Sequence, residues 1–379
     1  MNDTLFSEFD RRAMARALEL AAQGMETAHP NPRVGCVIAR EEHIVGEGWH
    51  ARAGEPHAEV HALREAGAAT VGATAYVTLE PCSHHGRTPP CAQALLAAGI
   101  ARVVYAVADP NPRVNGEGER ILRARGVQVE SGLLAAAATE LNAGFLKRMR
   151  TGRPWVRVKL AMSLDARTAL SNGKSHWITG ADARADVHSW RARSGAVMTG
   201  IGTVLADDPS LDVRLVEPSA VQRPPLLRVV LDSRLRTPLD ARLFSVAGEV
   251  MLVSVAGARG ADAQYAARRA ALAERATLEE LPADGRGRVS LVALLERLGS
   301  REINELWVES GPKLAGALLA EEQVDELLLY VAPRLIGPQG RPLAELPALT
   351  ELQDSPWFDM MDIHQVGADL RLRLRPKRR

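Results

Sequence analysis

Apolar residues at Met14, Ala17, Leu18 and Ala21 recur at helical spacing and predict a helix over residues 10–24. The period then shortens. Two runs, Val34 to Ala39 and Ile44 to Trp49, flank the polar turn Glu41-Glu42-His43 and read as a hairpin. A helix over 57–66 follows, stopped by Gly67, and then a strand from Ala75 to Leu79 that breaks at Glu80-Pro81. Cys91 opens a further helix to Ala98, with Gly99 behind it. Beyond lie a strand over 100–107, a helix over 118–125, a short strand over 127–129 and a helix over 133–146. Strands alternating with helices predict a largely parallel sheet, in which ligand residues gather where strands end and helices begin.

The basic, Gly/Pro-bearing stretch from Arg148 to Pro154 is the expected boundary, giving domains 1–150 and 151–379. The second half opens with a strand over 155–161. Asp182 is the expected cap of a helix carrying Arg184, Arg191 and Arg193, followed by a strand over 196–198 and a loop over 200–204. Strands over 227–231, 250–255, 305–308 and 327–331, with helices between several of them, make a second α/β domain. No internal repeat relates the two halves.

Composition narrows the classes. A chain of 379 residues exceeds what one core organises. Lys and Arg number 47 against 46 Asp and Glu, so no broad field recruits nucleic acid, although local arginine clusters remain available for phosphate. Three cysteines are no disulfide framework and fit a reducing cytoplasm; Cys36, in an apolar run, reads as a small core residue. The acidic first ten residues and the lack of any apolar run near about eighteen residues predict neither signal peptide nor membrane span.

The chemistry concentrates in His57-Ala58-Glu59, Pro81-Cys82 and Pro90-Cys91. One imidazole and two thiolates form a three-ligand zinc set that leaves a fourth position for water. In zinc deaminases, whose general signature is H-x-E followed by P-C-x-x-C, the glutamate is not a ligand but the proton shuttle. Here eight residues separate Cys82 from Cys91 where the general signature has two. Pro89-Pro90 suits the start of a helix, and a thiol in that first turn feels the positive end of the dipole. The competing reading, two buried structural cysteines and a capping histidine, is weighed down by Glu59 and both Pro-Cys pairs standing in register.

Other candidates are weaker taken singly. Asn31, in a rigid proline-rich loop, and His50, after the hairpin, can each offer hydrogen bonds to a heterocycle edge. In the second half a strand, the turn Glu309-Ser310-Gly311-Pro312 and a helix containing Gly316 offer helix-start amides to a pyrophosphate, although this arrangement is common. Gly200-Ile201-Gly202-Thr203 is another such place. Asp207-Asp208-Pro209 reads as a turn more readily than as a metal pair.

Together these stretches resemble the bacterial bifunctional riboflavin-biosynthesis deaminase/reductases. The resemblance runs through His29-Pro30-Asn31-Pro32, Gly54-Glu55-Pro56-His57-Ala58-Glu59, Thr78-Leu79-Glu80-Pro81-Cys82 to Pro90-Cys91 and Asp109-Pro110-Asn111-Pro112. It continues in Lys159-Leu160, Ser163-Leu164-Asp165, Trp177-Ile178-Thr179, Ala206-Asp207-Asp208-Pro209 and Trp307 to Pro312, covering nearly the whole chain. The long insertion between the Pro-Cys pairs is that family's own form of the motif.

The resemblance implies a cytidine-deaminase-like three-layer domain followed by a dihydrofolate-reductase-like α/β domain. The first would deaminate 2,5-diamino-6-(5-phosphoribosylamino)pyrimidin-4(3H)-one with zinc on His57, Cys82 and Cys91, Glu59 as the catalytic proton shuttle, and Asn31, His50 and Arg87 on the substrate. The second would use NADPH to reduce the ribosyl group to a ribityl chain. Ala161, Trp177, Thr203, Asp207, Ser233 and the turn Gly311, Pro312, Lys313, Leu314, Ala315, Gly316 and Ala317 would lie near NADPH. Ser175, Arg191, Leu211, Arg214 and Glu309 would face substrate, with Lys159 and Asp207 at the chemistry. The family also implies a homodimer through the second domain.

Two other classes are considered. A nucleic-acid deaminase acting on a flipped base shares the H-x-E core but wants a basic stripe that the balanced charge does not supply. A non-catalytic, zinc-stapled binding protein wants a fourth protein ligand, for which His61, His84 and His85 are available, and has no need of Glu59.

Overall fold

The structure is a computed structural model, and it describes residues 6–83, 90–112, 114–215, 223–257 and 263–377. The chain divides into two compact units, Met1–Gly152 and Arg153–Arg379.

The first unit begins with α1 (Glu8–Ala22), whose cap Ser7 accepts from the Asp10 amide while the Asp10 carboxylate accepts from the amide of Ser7. Next come β1 (Gly35–Arg40), β2 (His43–Trp49), α2 (Ala58–Ala66), β3 (Thr74–Val77), α3 (Cys91–Ala97), β4 (Arg102–Tyr105), α4 (Glu117–Arg123) and β5 (Gln128–Ser131). The strands lie in the order β2-β1-β3-β4-β5. β1 is antiparallel to both neighbours and β3, β4 and β5 are parallel, so the expected parallel sheet carries an antiparallel hairpin at one edge. Two apolar layers cover it, one built from α2 and α3 (Ala58, Ala62, Leu95) and one from α1 (Met14, Ala17, Leu20).

The expected helix over 133–146 is two helices, α5 (Ala135–Leu141) and α6 (Ala143–Thr151). They part at Asn142, whose side chain both accepts from the Arg33 amide and donates to the Arg33 carbonyl. The basic stretch read as a linker is the last turn of α6, where Arg148 and Arg150 oppose the helix dipole before Gly152 ends it in the left-handed region.

The second unit contains β6 (Trp155–Ser163), β7 (Arg167–Ala169), α7 (Ala181–Ala192), β8 (Ala196–Gly200), α8 (Ile201–Asp207), β9 (Leu227–Leu231), β10 (Val250–Val255), α9 (Ala263–Ala273), β11 (Thr277–Leu281) and α10 (Leu291–Ser300). It closes with β12 (Glu305–Glu309), α11 (Pro312–Ala320), β13 (Glu326–Ala332), β14 (Arg341–Pro342), β15 (Phe358–Val366) and β16 (Asp369–Pro376). Among the described residues, the main sheet runs β11-β10-β9-β8-β12-β6-β13-β16-β15. It is parallel as far as β13, after which the hairpin of β15 and β16 adds antiparallel strands. The stretch expected as a loop over 200–204 is the end of β8 at Gly200 and the first turn of α8. Asp182 is not the cap of α7 but lies in its first turn, where its charge still suits the dipole; the cap is Gly180.

One face of this sheet holds a charged row instead of an apolar one. Arg157 on β6 bonds Glu305 of β12 (2.9 Å) and Glu326 of β13 (2.7 Å), and Glu326 also takes Arg373 of β16 at 2.8 Å. The Trp190 ring of α7 covers Arg157 at 4.8 Å. Burial pushes the Glu326 carboxyl up, but the charges of Arg157 and Arg373 outweigh it and hold it at about 2. A carboxyl depressed on folding contributes stability above its unfolded value, and that contribution is lost as pH falls through its folded value. The unfolding midpoint in urea therefore drops between about pH 4.5 and 2, with Glu326 contributing up to roughly 3 kcal/mol. Glu326→Gln should flatten that slope, and an unchanged slope would show that the row is not what titrates.

Candidate functional site

In the first unit the site is placed by small residues. Ala58, Ala62 and Ala66 form one buried face of α2, and opposite them β2 carries Gly46 and Gly48. A Cβ on Gly48 would stand 2.3 Å from the Ala58 carbonyl oxygen, and one on Gly46 would stand 2.2 Å from that of Ala62. The helix therefore rests on bare backbone, which fixes its first turn with His57 at the cap and Glu59 just inside. Gly48→Ala has to lift α2, at a cost of about 1–3 kcal/mol. Zinc retained after dialysis should fall together with thermal stability; wild-type values for both would show that the contact does not set the helix.

His57, Cys82 and Cys91 present ligand atoms that all lie within 4.8 Å of one another, and among the described residues they are the one such cluster of His, Cys, Asp or Glu. Nδ1 of His57 is 3.1 Å from Cys91 Sγ and 3.6 Å from Cys82 Sγ, and the Cys91 amide at the start of α3 donates to Cys82 Sγ at 3.3 Å. A tetrahedral zinc with ordinary bond lengths asks for nitrogen–sulfur separations of about 3.6 Å, so both the donor set and its span fit that ion. Hydrogen bonding from Cys91 and His57 holds the Cys82 thiol at about 4, whereas the hydrogen bond to Cys82 and burial push Cys91 up. Glu59 is only 3% exposed, and burial, reinforced by the Cys82 charge, raises its carboxyl. His61 is not in the cluster; His84 and His85 lie outside the described residues.

Two of the expected substrate residues meet beside this cluster. Asn31 Nδ2 lies 3.0 Å from His50 Nε2, and His50 Nδ1 lies 3.2 Å from the Pro56 carbonyl oxygen. Since a carbonyl only accepts, Nδ1 carries the proton and Nε2 accepts from Asn31, which makes the ring neutral. Burial lowers the His50 pKa in the same sense. The ring stands edge to face with His57 at 5.3 Å. Arg87 lies outside the described residues. Cys36 is fully buried on β1 beside Glu59, whose charge adds to burial in raising its thiol; it is no member of the cluster.

Two buried carboxylates next to the cluster have no counterpart in the expected site. Glu80 takes part in several backbone hydrogen bonds, and Asp109, which accepts from the Asn111 amide, is pushed up to about 6 by burial and by the charges of Glu80 and Cys82. The sequence marks both only as polar residues within Leu79-Glu80-Pro81-Cys82 and Asp109-Pro110-Asn111-Pro112.

In the second unit, Lys159 of β6 stands opposite Glu309 of β12, near the carboxyl ends of parallel strands. Arg191 of α7 donates to Glu309 through Nε (2.9 Å) and Nη2 (2.5 Å), and to the Asp212 carbonyl through Nη1. Trp307 Nε1 adds a bond of 2.7 Å to the same Glu309 oxygen. Burial works to raise Glu309, yet Arg191 and Lys159 hold it at about 2, while burial lowers Lys159. Arg191 is thus committed to protein groups, whereas Arg214 is more exposed: its amide donates to His188 Nδ1 at 3.1 Å and its guanidinium reaches Ser210 at 3.3 Å. His188, also unforeseen, is held at about 4 by burial and the two arginines, and so stays a neutral acceptor.

Thr203, Ser233 and Gly311 follow β8, β9 and β12, so the parallel strands bring them to one end of the sheet, and Ala161 is on β6. Asp207 ends α8 within 3.2 Å of His176 Nε2. The neighbouring Trp177 is 62% exposed with Arg184 stacked over it at 4.5 Å, and Ser175 precedes the pair. Leu211 is buried against Trp190 and Trp307. The start of α11 is open at Gly311, where nothing lies within 4 Å of an added Cβ, and its first amides precede any intrahelical partner, which suits a phosphate-bearing cofactor. Gly316 differs. A Cβ there would stand 2.1 Å from the Glu345 carbonyl oxygen, so backbone packing accounts for that glycine.

Residues 7–107 match the family described as the cytidine and deoxycytidylate deaminase zinc-binding region, and residues 154–372 match the RibD C-terminal domain. The riboflavin biosynthesis protein RibD of Escherichia coli K12 is 50% identical over 374 residues, covering 96% of this chain and 99% of its own. The RibD structure from Acinetobacter baumannii superposes with a TM-score of 0.87 at 42% identity, covering 98% and 99% of the two chains. A crystal structure from Thermotoga maritima, described as a diaminohydroxyphosphoribosylaminopyrimidine deaminase/5-amino-6-(5-phosphoribosylamino)uracil reductase, gives 0.83 at 30% identity, covering 97% and 99%. These matches set aside the nucleic-acid deaminase and zinc-stapled readings, and they imply zinc and a nicotinamide cofactor. The chain belongs to the RibD family, the bifunctional deaminase/reductases of riboflavin biosynthesis, with a cytidine-deaminase-like domain followed by a dihydrofolate-reductase-like one.

Proposed function

We propose that residues 1–150 remove the ring 2-amino group of 2,5-diamino-6-(5-phosphoribosylamino)pyrimidin-4(3H)-one, and that residues 151–379 then reduce the ribosyl group with NADPH to give 5-amino-6-(5-phosphoribitylamino)uracil. The observation that carries the reading is the convergence of His57, Cys82 and Cys91 beside the buried Glu59. Zinc held by those three residues supplies a water acidic enough to act near neutral pH, and the nicotinamide supplies a hydride. Glu59 takes the proton from the attacking water and delivers it to the departing ammonia. Neutral His50 and Asn31 orient the pyrimidine edge, and Arg87 is the third group on that substrate.

In the second step Arg191 acts through Glu309, holding that carboxylate beside Lys159, while Arg214 takes the substrate phosphate. Ser175 and Leu211 line the substrate, and Lys159 and Asp207 are the polar groups nearest the reacting carbon. Ala161, Trp177, Thr203, Asp207, Ser233 and the open start of α11 at Gly311 hold NADPH, with Gly316 serving the packing of that helix on Glu345. The unpaired Cys36, Cys82 and Cys91 suit a reducing cytoplasm. Exposed Met360 and Ile363 on β15 and the neighbouring Trp357 support a homodimer through the second unit.

The test is ammonia release from the diaminopyrimidine substrate by zinc-loaded protein, stripped by a chelator and restored by zinc, followed by oxidation of NADPH in preference to NADH. Release that survives complete zinc removal would overturn the first assignment. Equal use of both cofactors would overturn the choice of NADPH.

A further inference from the structure

Glu80 joins the end of the β3 segment to the first Pro-Cys pair, is 3% exposed, and is not a member of the ligand cluster. Its Oε2 accepts from the amides of Asp109 (3.3 Å) and Gly116 (3.1 Å), and its Oε1 from that of Glu119 (3.4 Å). Its own amide donates to the Val107 carbonyl at 2.9 Å. One carboxylate therefore collects amides from the loop after β4 and from the first turn of α4. That helix has no side-chain cap of its own, since Gly116 occupies the cap position. Glu80 supplies the missing acceptor from a distant part of the chain.

The backbone closes the same contact. A Cβ on Gly118 would stand 2.0 Å from the Pro81 carbonyl oxygen and 3.3 Å from Glu80 Oε1, so α4 lies directly on Glu80-Pro81. Cys82 follows immediately, with its sulfur accepting from the Cys91 amide on the far side. The geometry points to Glu80 as a positioning residue for deamination: a buried carboxylate that clasps Asp109 and residues 116–119 to Pro81 and thereby sets where the Cys82 sulfur meets the metal. The inference rests on His57, Cys82 and Cys91 being the zinc ligands. A carboxylate that merely stabilised the fold would change the unfolding temperature and leave the metal alone.

Glu80→Gln keeps the side-chain volume but turns an NH2 group toward at least one of the three amides, so the clasp loosens. In the full-length protein, zinc release to a chromogenic chelator should accelerate by about tenfold or more, the span ordinary for groups that orient metal ligands. The absorption spectrum of the cobalt-substituted protein should shift, and deaminase kcat should fall while reductase activity on already deaminated substrate is kept. Gly118→Ala disturbs the same contact from the other side and should move zinc release in the same direction, which keeps the test open if Glu80→Gln does not fold. Release rate and cobalt spectrum matching the wild type in whichever variant folds would overturn the inference, whatever happens to thermal stability. Zinc binding that does not depend on His57 would instead sink the ligand assignment, and this role with it.

Discussion

Glu59→Gln retains zinc and loses about three orders of magnitude in deamination kcat, while reduction of already deaminated substrate proceeds as before. The size follows from what a positioned acid or base contributes, about 10²–10⁴. The amide is isosteric with the carboxylate and sits in the same buried place, so α2 and the ligand cluster should survive the change. What it cannot do is accept a proton from water and pass it on. Zinc content, ammonia release and reductase rate measured on one preparation separate these effects. Unimpaired deamination would remove Glu59 from the mechanism, and loss of zinc would make it a structural group.

Arg191→Ala should be the most damaging single change in the second unit. Its guanidinium makes two hydrogen bonds to Glu309, and removing it leaves that carboxylate with Lys159 and Trp307 alone, at a cost of about 3 kcal/mol. Both thermal stability and reductase kcat/KM should fall, the latter by about a hundredfold, the cost of misplacing a group that positions the reacting site. Arg214→Ala should differ in kind. With a more exposed side chain and only a loose ion pair to Asp212 at 3.5 Å, its loss should raise KM for the phosphorylated substrate about tenfold, with kcat and unfolding temperature little changed. If Arg191→Ala changed KM alone and left stability intact, Arg191 would be a free phosphate ligand, and the committed geometry would not describe the working enzyme.

The contrast between these arginines marks how far the sequence was legible. Helical spacing in α1 and α2, the β1–β2 hairpin, and the Cys91 helix start were all readable because each depends on neighbours within one element. The meeting of His57, Cys82 and Cys91 was readable because they sit at strand ends and helix starts that local signals already place. Arg191 and Glu309 are 118 positions apart, and only the packing of α7 on the sheet brings them together. Glu80 bonds amides up to 39 positions away, so nothing near it distinguishes a clasp from a break before proline.

The C-terminal hairpin shows a different limit. β16 alternates leucine and arginine from Leu370 to Arg375, which is a strand pattern, yet the arginine face is also partly covered, by Trp190 and Glu326, while Leu370 is exposed. Simple inside-outside reasoning assigns such a face to solvent. Gly316 is a further case: a glycine at a helix start suggested a close cofactor, and the close approach is made by the chain's own backbone at Glu345.

The most direct measurement follows ammonia and NADPH together when zinc-loaded protein meets the diaminopyrimidine ribosyl phosphate, with cofactor in one tube and without it in another. Ammonia should be released in both tubes, and NADPH should be consumed only after deamination has begun, with Glu59→Gln abolishing both signals on this substrate. NADPH consumption by Glu59→Gln at the wild-type rate would contradict the account, because reduction would then not depend on deamination at the zinc site.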